Sequence, residues 1–238
     1  MTSRPFILLC FLLAATLLTG TKFAAEKTAP EESGNTTTIA TSDSMKTVLL
    51  LDKLAAKGLN AEVLSLTLKG YEKMKDSLGA GYRYLMIADF SKPSSEKRFY
   101  MIDLLDSALV LNDYVAHGKN SGNLYANEFS NTPHSCQSSL GFYKVSEPYY
   151  GQHGLSLRLD GLDKGFNCKA RERAIVMHTA DYARPEFIQQ NGRMGRSFGC
   201  PVLPAESFHK ISRSVSGNSL LFIYYPDSNY LNKCIWLD

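Results

Sequence analysis

Apolar positions along the chain change rhythm three times. Behind Met1-Thr2-Ser3-Arg4-Pro5 stands an uncharged apolar run from Phe6 to Leu18. A basic residue ahead of a short apolar run is the pattern of a secretory signal. The run falls short of the ~20 residues that span a bilayer. Small residues end at Ala24-Ala25, so residues 1–25 are expected to be a cleaved signal peptide, with an uncleaved anchor as the alternative. Residues 26–42 are rich in Thr, Ser, Pro and Glu and lack apolar periodicity, the composition of a flexible lead-in.

The next stretch, 43–79, has a helical rhythm. A first helix is expected from Asp43 to Lys57, stopped by Gly58. Asn60 is placed to cap a second, in which Leu64, Leu68, Tyr71, Met74 and Leu78 form one apolar stripe at three- and four-residue steps. Gly79 and Gly81 close it. Beyond them come short aromatic and aliphatic runs separated by turn residues: 82–90, 97–105, 107–117, 142–145, 155–159, 174–178 and 220–225. The pattern predicts a mainly β domain over 80–238, preceded by a short helical N-terminal segment.

Composition narrows the classes. A chain of 238 residues with 44% hydrophobic content can bury a core without disulfide staples. Lys+Arg 26 against Asp+Glu 23 is too balanced to require a nucleic-acid partner. Of the five cysteines, Cys10 lies in the apolar leader, leaving Cys136, Cys168, Cys200 and Cys234.

Three chemistries compete. The histidines at 117, 134, 153, 178 and 209 form no His-x-x-x-His pair, no Cys-x-x-Cys occurs, and His134 with Cys136 is not a usual zinc spacing. No metal or cofactor is expected. The Gly192–Gly199 stretch is glycine-rich and basic but lacks the Lys-Ser/Thr ending of a phosphate loop. The third chemistry is a cysteine nucleophile. Cys200 follows Gly199 in Gly195-Arg196-Ser197-Phe198-Gly199-Cys200-Pro201, a tight segment able to present a sulfur beside free backbone N–H groups. Arg193 and Arg196 make the vicinity electropositive, which favours thiolate. His178, ending the strand-like run 173–177, is the candidate base. The competing structural readings are a buried or disulfide-bonded cysteine and a histidine that merely ends a strand.

Taken together, these blocks resemble the murein L,D-transpeptidase catalytic family. The resembling residues are Ile175-Val176-Met177-His178-Thr179, Ser197-Phe198-Gly199-Cys200, Ser138-Ser139-Leu140-Gly141-Phe142-Tyr143-Lys144-Val145 and Gly151-Gln152-His153-Gly154-Leu155-Ser156-Leu157. Thr179 stands where many members have Gly, and Phe198 where many have His. The resemblance implies an L,D-transpeptidase-like β-sandwich and acyl transfer through a thioester. Cys200 would attack the bond between a diamino acid and a terminal D-Ala of a peptidoglycan stem peptide. His178 would move the proton, a carbonyl near Thr179 would fix its tautomer, Ser197 would orient it, and the N–H groups of Gly199 and Cys200 would hold the oxyanion. Arg196 or Arg193 would pair with a substrate carboxylate or hold the loop. His153 would line the cleft or play a structural part. An amine acceptor gives transpeptidation and water gives L,D-carboxypeptidase activity. A non-catalytic peptidoglycan-binding envelope protein is the reading from another class. Papain-like peptidases place Cys before His, the reverse of the order here. With Cys200 free, at most one disulfide is expected among Cys136, Cys168 and Cys234. Export would put the protein in the periplasm or cell envelope.

Overall fold

The computed structural model describes residues 42–78 and 81–238. The expected signal peptide and residues 26–41 of the expected lead-in lie outside the described residues. Two helices open the described chain, α1 (Ser42–Ala56) and α2 (Ala61–Leu78). Gly58 turns the chain between them at φ 76, a conformation that suits a residue without Cβ. Asn60 Oδ1 accepts the Glu62 N–H at 2.8 Å, satisfying an amide that the first turn leaves open.

Eight strands follow: β1 (Tyr84–Asp89), β2 (Phe99–Asp103), β3 (Ala108–Asp113), β4 (Gly141–Gly151), β5 (Gly154–Gly161), β6 (Val176–Thr179), β7 (Val202–Leu203) and β8 (Ser219–Tyr224). They form one order, β3-β2-β1-β8-β4-β5-β6-β7. β1 pairs parallel with β8 and β6 parallel with β7, and the other neighbours are antiparallel. The expected mainly β domain is therefore present. β1, β2 and β8 are buried almost throughout, so they read as continuous apolar runs rather than alternating ones. α2 packs on this sheet, with Gly70 set against the Phe142 ring. Phe142 is itself stacked on Phe222 at 4.2 Å.

Three further helices, α3 (Pro185–Asn191), α4 (Ala205–Val215) and α5 (Ser228–Leu231), complete the unit. The strand-based expectation left out α4, although Phe208, Ile211 and Val215 are buried on one face at helical steps. β7 has only two residues and carries no periodicity to read. Among the described residues no helix is long and apolar enough to cross a membrane.

A buried cation ties the sheet to the loop that carries Cys200. Arg98 is fully buried; its guanidinium donates to the Val115 and Lys92 carbonyls and to His117 Nδ1 at 2.7 Å. A guanidinium only donates, so His117 Nδ1 accepts and Nε2 keeps its proton, facing Gly122 O at 3.4 Å. The His117 carbonyl accepts the Ser197 N–H, and Gly118 and Ala116 bridge to Ser197 and Val202. Burial first, and the Arg98 charge second, hold His117 down at about 3.

Two outcomes follow from this packing. Gly→Ala inside a helix ordinarily stabilises by up to about 1 kcal/mol. At Gly70 a Cβ would fall 2.2 Å from Phe142 Cζ, inside a stacked core pair. Gly70→Ala is expected to destabilise by about 1–3 kcal/mol in equilibrium denaturation, and a gain in stability would disprove the close approach. His117 is held below its unfolded value of 6.5, so its contribution is complete above pH 6.5 and is lost as pH falls toward about 3. Denaturation midpoints should drop across that window, and His117→Gln should flatten the drop.

Candidate active site

The pairing of β6 with β7 positions the two candidate side chains, Cys200 and His178. Its parallel register sets His178 opposite Val202 and Thr179 opposite Leu203. Cys200 enters β7 two residues before Val202 and so lies beside Val176, two residues short of His178 on the neighbouring strand. The geometry agrees: Cys200 Sγ accepts the Val176 N–H at 3.5 Å and lies 4.0 Å from Ala174 O.

The turn before Cys200 is shaped by Gly199 and Ser197. Gly199 has φ 125, and a Cβ there would meet Gln137 O at 2.7 Å, so only glycine fits. Ser197 Oγ donates to the Cys200 carbonyl at 2.7 Å and accepts the Gly199 N–H at 3.0 Å. The single hydroxyl proton of Ser197 is thus engaged by Cys200 O, and the Gly199 N–H by Ser197 Oγ, while the Cys200 N–H has no partner among the described residues.

His178 is buried at the end of β6. Its Nδ1 faces the Thr179 carbonyl at 3.0 Å. A carbonyl only accepts, so Nδ1 carries the proton and Nε2 is left as the basic nitrogen. The tautomer-fixing carbonyl expected near Thr179 is thus Thr179's own. The His153 ring stacks on His178 at 4.1 Å and 14° from the tip of the β4–β5 hairpin. Burial pulls His178 down to about 4; the Thr179 bond opposes this, and His153 adds to it. Cys200 is pushed up by burial, against the Val176 N–H and the Arg173 charge. Burial thus favours the neutral form of each group near pH 7, thiol and imidazole rather than thiolate and imidazolium.

Arg173, absent from the sequence-based candidates, is the cation acting on the sulfur. Its guanidinium donates to the carbonyls of Ser130 and Gln137 and to the hydroxyls of Ser135 and Ser139, gathering the 130–139 loop around the site. Tyr182 also escaped the sequence reading. Its hydroxyl is pushed up to about 12, by burial first and by Cys200 second. No spacing in the sequence marks either residue. The two candidate arginines make loop contacts: Arg196 donates to the Lys119 and Gly122 carbonyls, and Arg193 to Met194 O. Cys136, Cys168, Cys200 and Cys234 are all free thiols. Among the described residues no three His, Cys, Asp or Glu side chains converge as metal ligands.

Two hollows flank this centre. A groove of about 540 Å³ is bounded by Gln152, His153, Thr179, Asp181, Arg184 and Ala205. A smaller pocket of about 200 Å³ is bounded by His134, Cys136, Arg173 and Phe198.

Among solved structures the chain is similar to an L,D-transpeptidase from Mycobacterium smegmatis, at 14% identity and TM-score 0.38 over 61% of this chain and 60% of that one. It is also similar to an L,D-transpeptidase from Mycobacterium tuberculosis H37Rv, at 14% identity and TM-score 0.36 over 61% and 59%. An Enterococcus faecium L,D-transpeptidase matches at 12% identity and TM-score 0.37 over 60% and 50%. The chain thus spans half to three-fifths of the length of these structures. No curated protein matches it in sequence. The family model described as the L,D-transpeptidase catalytic domain matches residues 55–224, which takes in α2 and every strand of the sheet. That match covers well over half of the chain, and the protein belongs to the L,D-transpeptidase catalytic domain family.

Proposed function

We propose that this protein is an exported peptidoglycan L,D-transpeptidase that works through a thioester on Cys200. The observation that carries this reading is the bond from His178 Nδ1 to Thr179 O, which leaves a basic Nε2 on the strand beside the thiol. His178 Nε2 takes the thiol proton as Cys200 Sγ attacks the carbonyl between the diamino acid and the terminal D-Ala of a stem peptide. The Cys200 N–H holds the developing oxyanion, and an oxyanion-hole donor of this kind is typically worth about 3 kcal/mol of barrier. The imidazolium gives its proton to the departing amine of D-Ala. An acceptor then attacks the thioester, with His178 as base again.

Because burial favours the neutral form of each group, the nucleophile is made at the moment of reaction. Ser197 and Gly199 act by shaping the turn, Thr179 by fixing the tautomer and His153 by covering one face of the imidazole. Arg193 and Arg196 hold the loop. The free state of Cys200 supports an enzyme over a binding module with a disulfide at that position. Water as acceptor would make the protein an L,D-carboxypeptidase. The apolar leader and an envelope substrate together support a periplasmic or envelope location, with peptidoglycan stem peptides as partners.

Cys200→Ala is expected to abolish the covalent adduct formed with a tetrapeptide muropeptide or a carbapenem, read by intact-protein mass. His178→Ala is expected to slow acylation by about 10²–10⁴-fold; an unchanged rate would reassign the base. The acid limb of acylation reports the free imidazole. With His178 held near about 4, the rate should stay flat as pH falls from 7 to 5 and decline only toward 4. A midpoint near 6.5 in folded protein would show that burial does not govern the base.

A further inference from the structure

We infer that Arg173 is a positioning residue of the proposed reaction: its guanidinium is the fixed counter-charge beside which the Cys200 sulfur turns negative. The inference rests on the proposed Cys200 thioester and adds to it a group that transfers no proton.

Arg173 is tied to the sulfur from two sides. Along the chain it directly precedes Ala174, whose carbonyl lies 4.0 Å from Cys200 Sγ. Its side chain reaches the turn ahead of Cys200, where Nη2 is 3.2 Å from the place a Cβ on Gly199 would take. Nη2 also donates to the Gln137 carbonyl at 2.5 Å and to the Ser135 hydroxyl, and Nη1 donates to the Ser130 carbonyl at 2.6 Å and to the Ser139 hydroxyl. Ser138, in the same loop, donates its hydroxyl to the Gly199 carbonyl at 3.4 Å. Loop, guanidinium and nucleophile turn thus form one bonded unit, and the charge cannot swing away from the sulfur without breaking it.

What Arg173 lacks is an anion. Its acceptors are two carbonyls and two hydroxyls, all neutral. Other arginines are compensated: Arg83 pairs with Asp103, Arg158 with Glu147, and Arg171 with Glu147 and Asp160. A half-buried guanidinium among neutral dipoles is costly, and burial is the main cause that lowers its proton affinity. Three groups near it can turn negative: Tyr143, Cys200 and Cys136. Tyr143 is fully buried and its phenol is pushed up by that burial. Cys136 shares a pocket wall with Arg173, His134 and Phe198, away from the proposed base. Cys200 alone has an imidazole on the adjoining strand. Burial favours the neutral form of His178 and of Tyr182, the other titratable groups near the sulfur. The charge that opposes burial at Cys200 is Arg173.

The chemistry gives this charge its use. As His178 Nε2 takes the thiol proton, the S–H electron pair stays on sulfur and becomes the C–S bond. The carbonyl π pair moves to oxygen. Negative charge therefore develops first at sulfur and then at the oxyanion. The Cys200 N–H serves the second and Arg173 the first. A charge already in place needs no reorganisation at the moment of reaction.

Two variants separate charge from scaffold. Arg173→Gln removes the charge and keeps an amide that donates to the loop, whereas Arg173→Lys keeps the charge and loses the fork. Iodoacetamide alkylation across pH, read by mass on the peptide containing Cys200, follows this thiol apart from the other free cysteines. Its midpoint is expected to rise by about one pH unit or more in Arg173→Gln, the low end for losing a close opposite charge, and to stay within about half a unit of the parent in Arg173→Lys. Acylation by a carbapenem should slow about 10-fold or more in Arg173→Gln and largely recover in Arg173→Lys. An unmoved midpoint in Arg173→Gln, or equal rises in both variants, would assign Arg173 to the loop alone and overturn the inference. Loss of cooperative unfolding in both variants would do the same. None of these outcomes touches the thioester reading so long as the parent protein is acylated at Cys200. A midpoint that rises as expected in a protein whose parent forms no adduct at Cys200 would uphold the charge contact and sink the thioester.

Discussion

The site depends on a two-residue parallel pairing. β7 is only Val202 and Leu203, yet its register against His178 and Thr179 sets where the Cys200 sulfur sits along β6. So short a strand cannot hold itself by ladder bonds alone. It is held from its other side, where Ala116 bridges to Val202 and Gly118 to Ser197. The segment carrying Ala116 and Gly118 is in turn anchored by Arg98, buried and bonded to the Val115 carbonyl and to His117. A buried cation with three protein acceptors fixes its neighbours firmly, because leaving any of those donors unpaired costs several times the net worth of a bond. The position of the sulfur is thus transmitted from a buried arginine more than a hundred residues earlier in the chain.

The same burial sets the electrostatics. A thiol and an imidazole in water would both titrate within two units of neutrality. Here desolvation moves them in opposite directions, the thiol up and the imidazole down, and favours the uncharged form of each. Arg173 opposes this for the sulfur but does not overcome it. The Thr179 carbonyl opposes it for the imidazole and, more usefully, settles which nitrogen is basic. Ser197 and Gly199 contribute geometry: their mutual bonds close the turn and leave the Cys200 amide open.

How much of this was legible can be judged residue by residue. Strands such as Tyr84–Asp89 and Ser219–Tyr224 are visible because burial on both faces demands unbroken apolar runs. Cys200, Gly199 and His178 stand out because a nucleophile turn needs a residue without Cβ and a base needs a strand end. α4 was missed although its stripe of Phe208, Ile211 and Val215 was there to be seen. β7 was not legible, because two residues have no period. Ser197 was visible but its partner was not: a hydroxyl accepts and donates, and only the folded turn decides to which neighbour.

By itself the sequence determined the two opening helices and most of the strands, the presence of a cysteine behind a glycine, and a histidine ending a strand. These follow from local rules, the spacing of apolar positions and the steric freedom of glycine. Tertiary structure alone decided that Arg173 and Tyr182 attend the sulfur, that Arg193 and Arg196 hold loops, and that His153 stacks on His178. Those relations join residues from separate parts of the chain. Proton affinity and hydrogen-bond choice depend on burial and on which acceptor lies within about 3 Å, and neither exists until the sheet has closed its register.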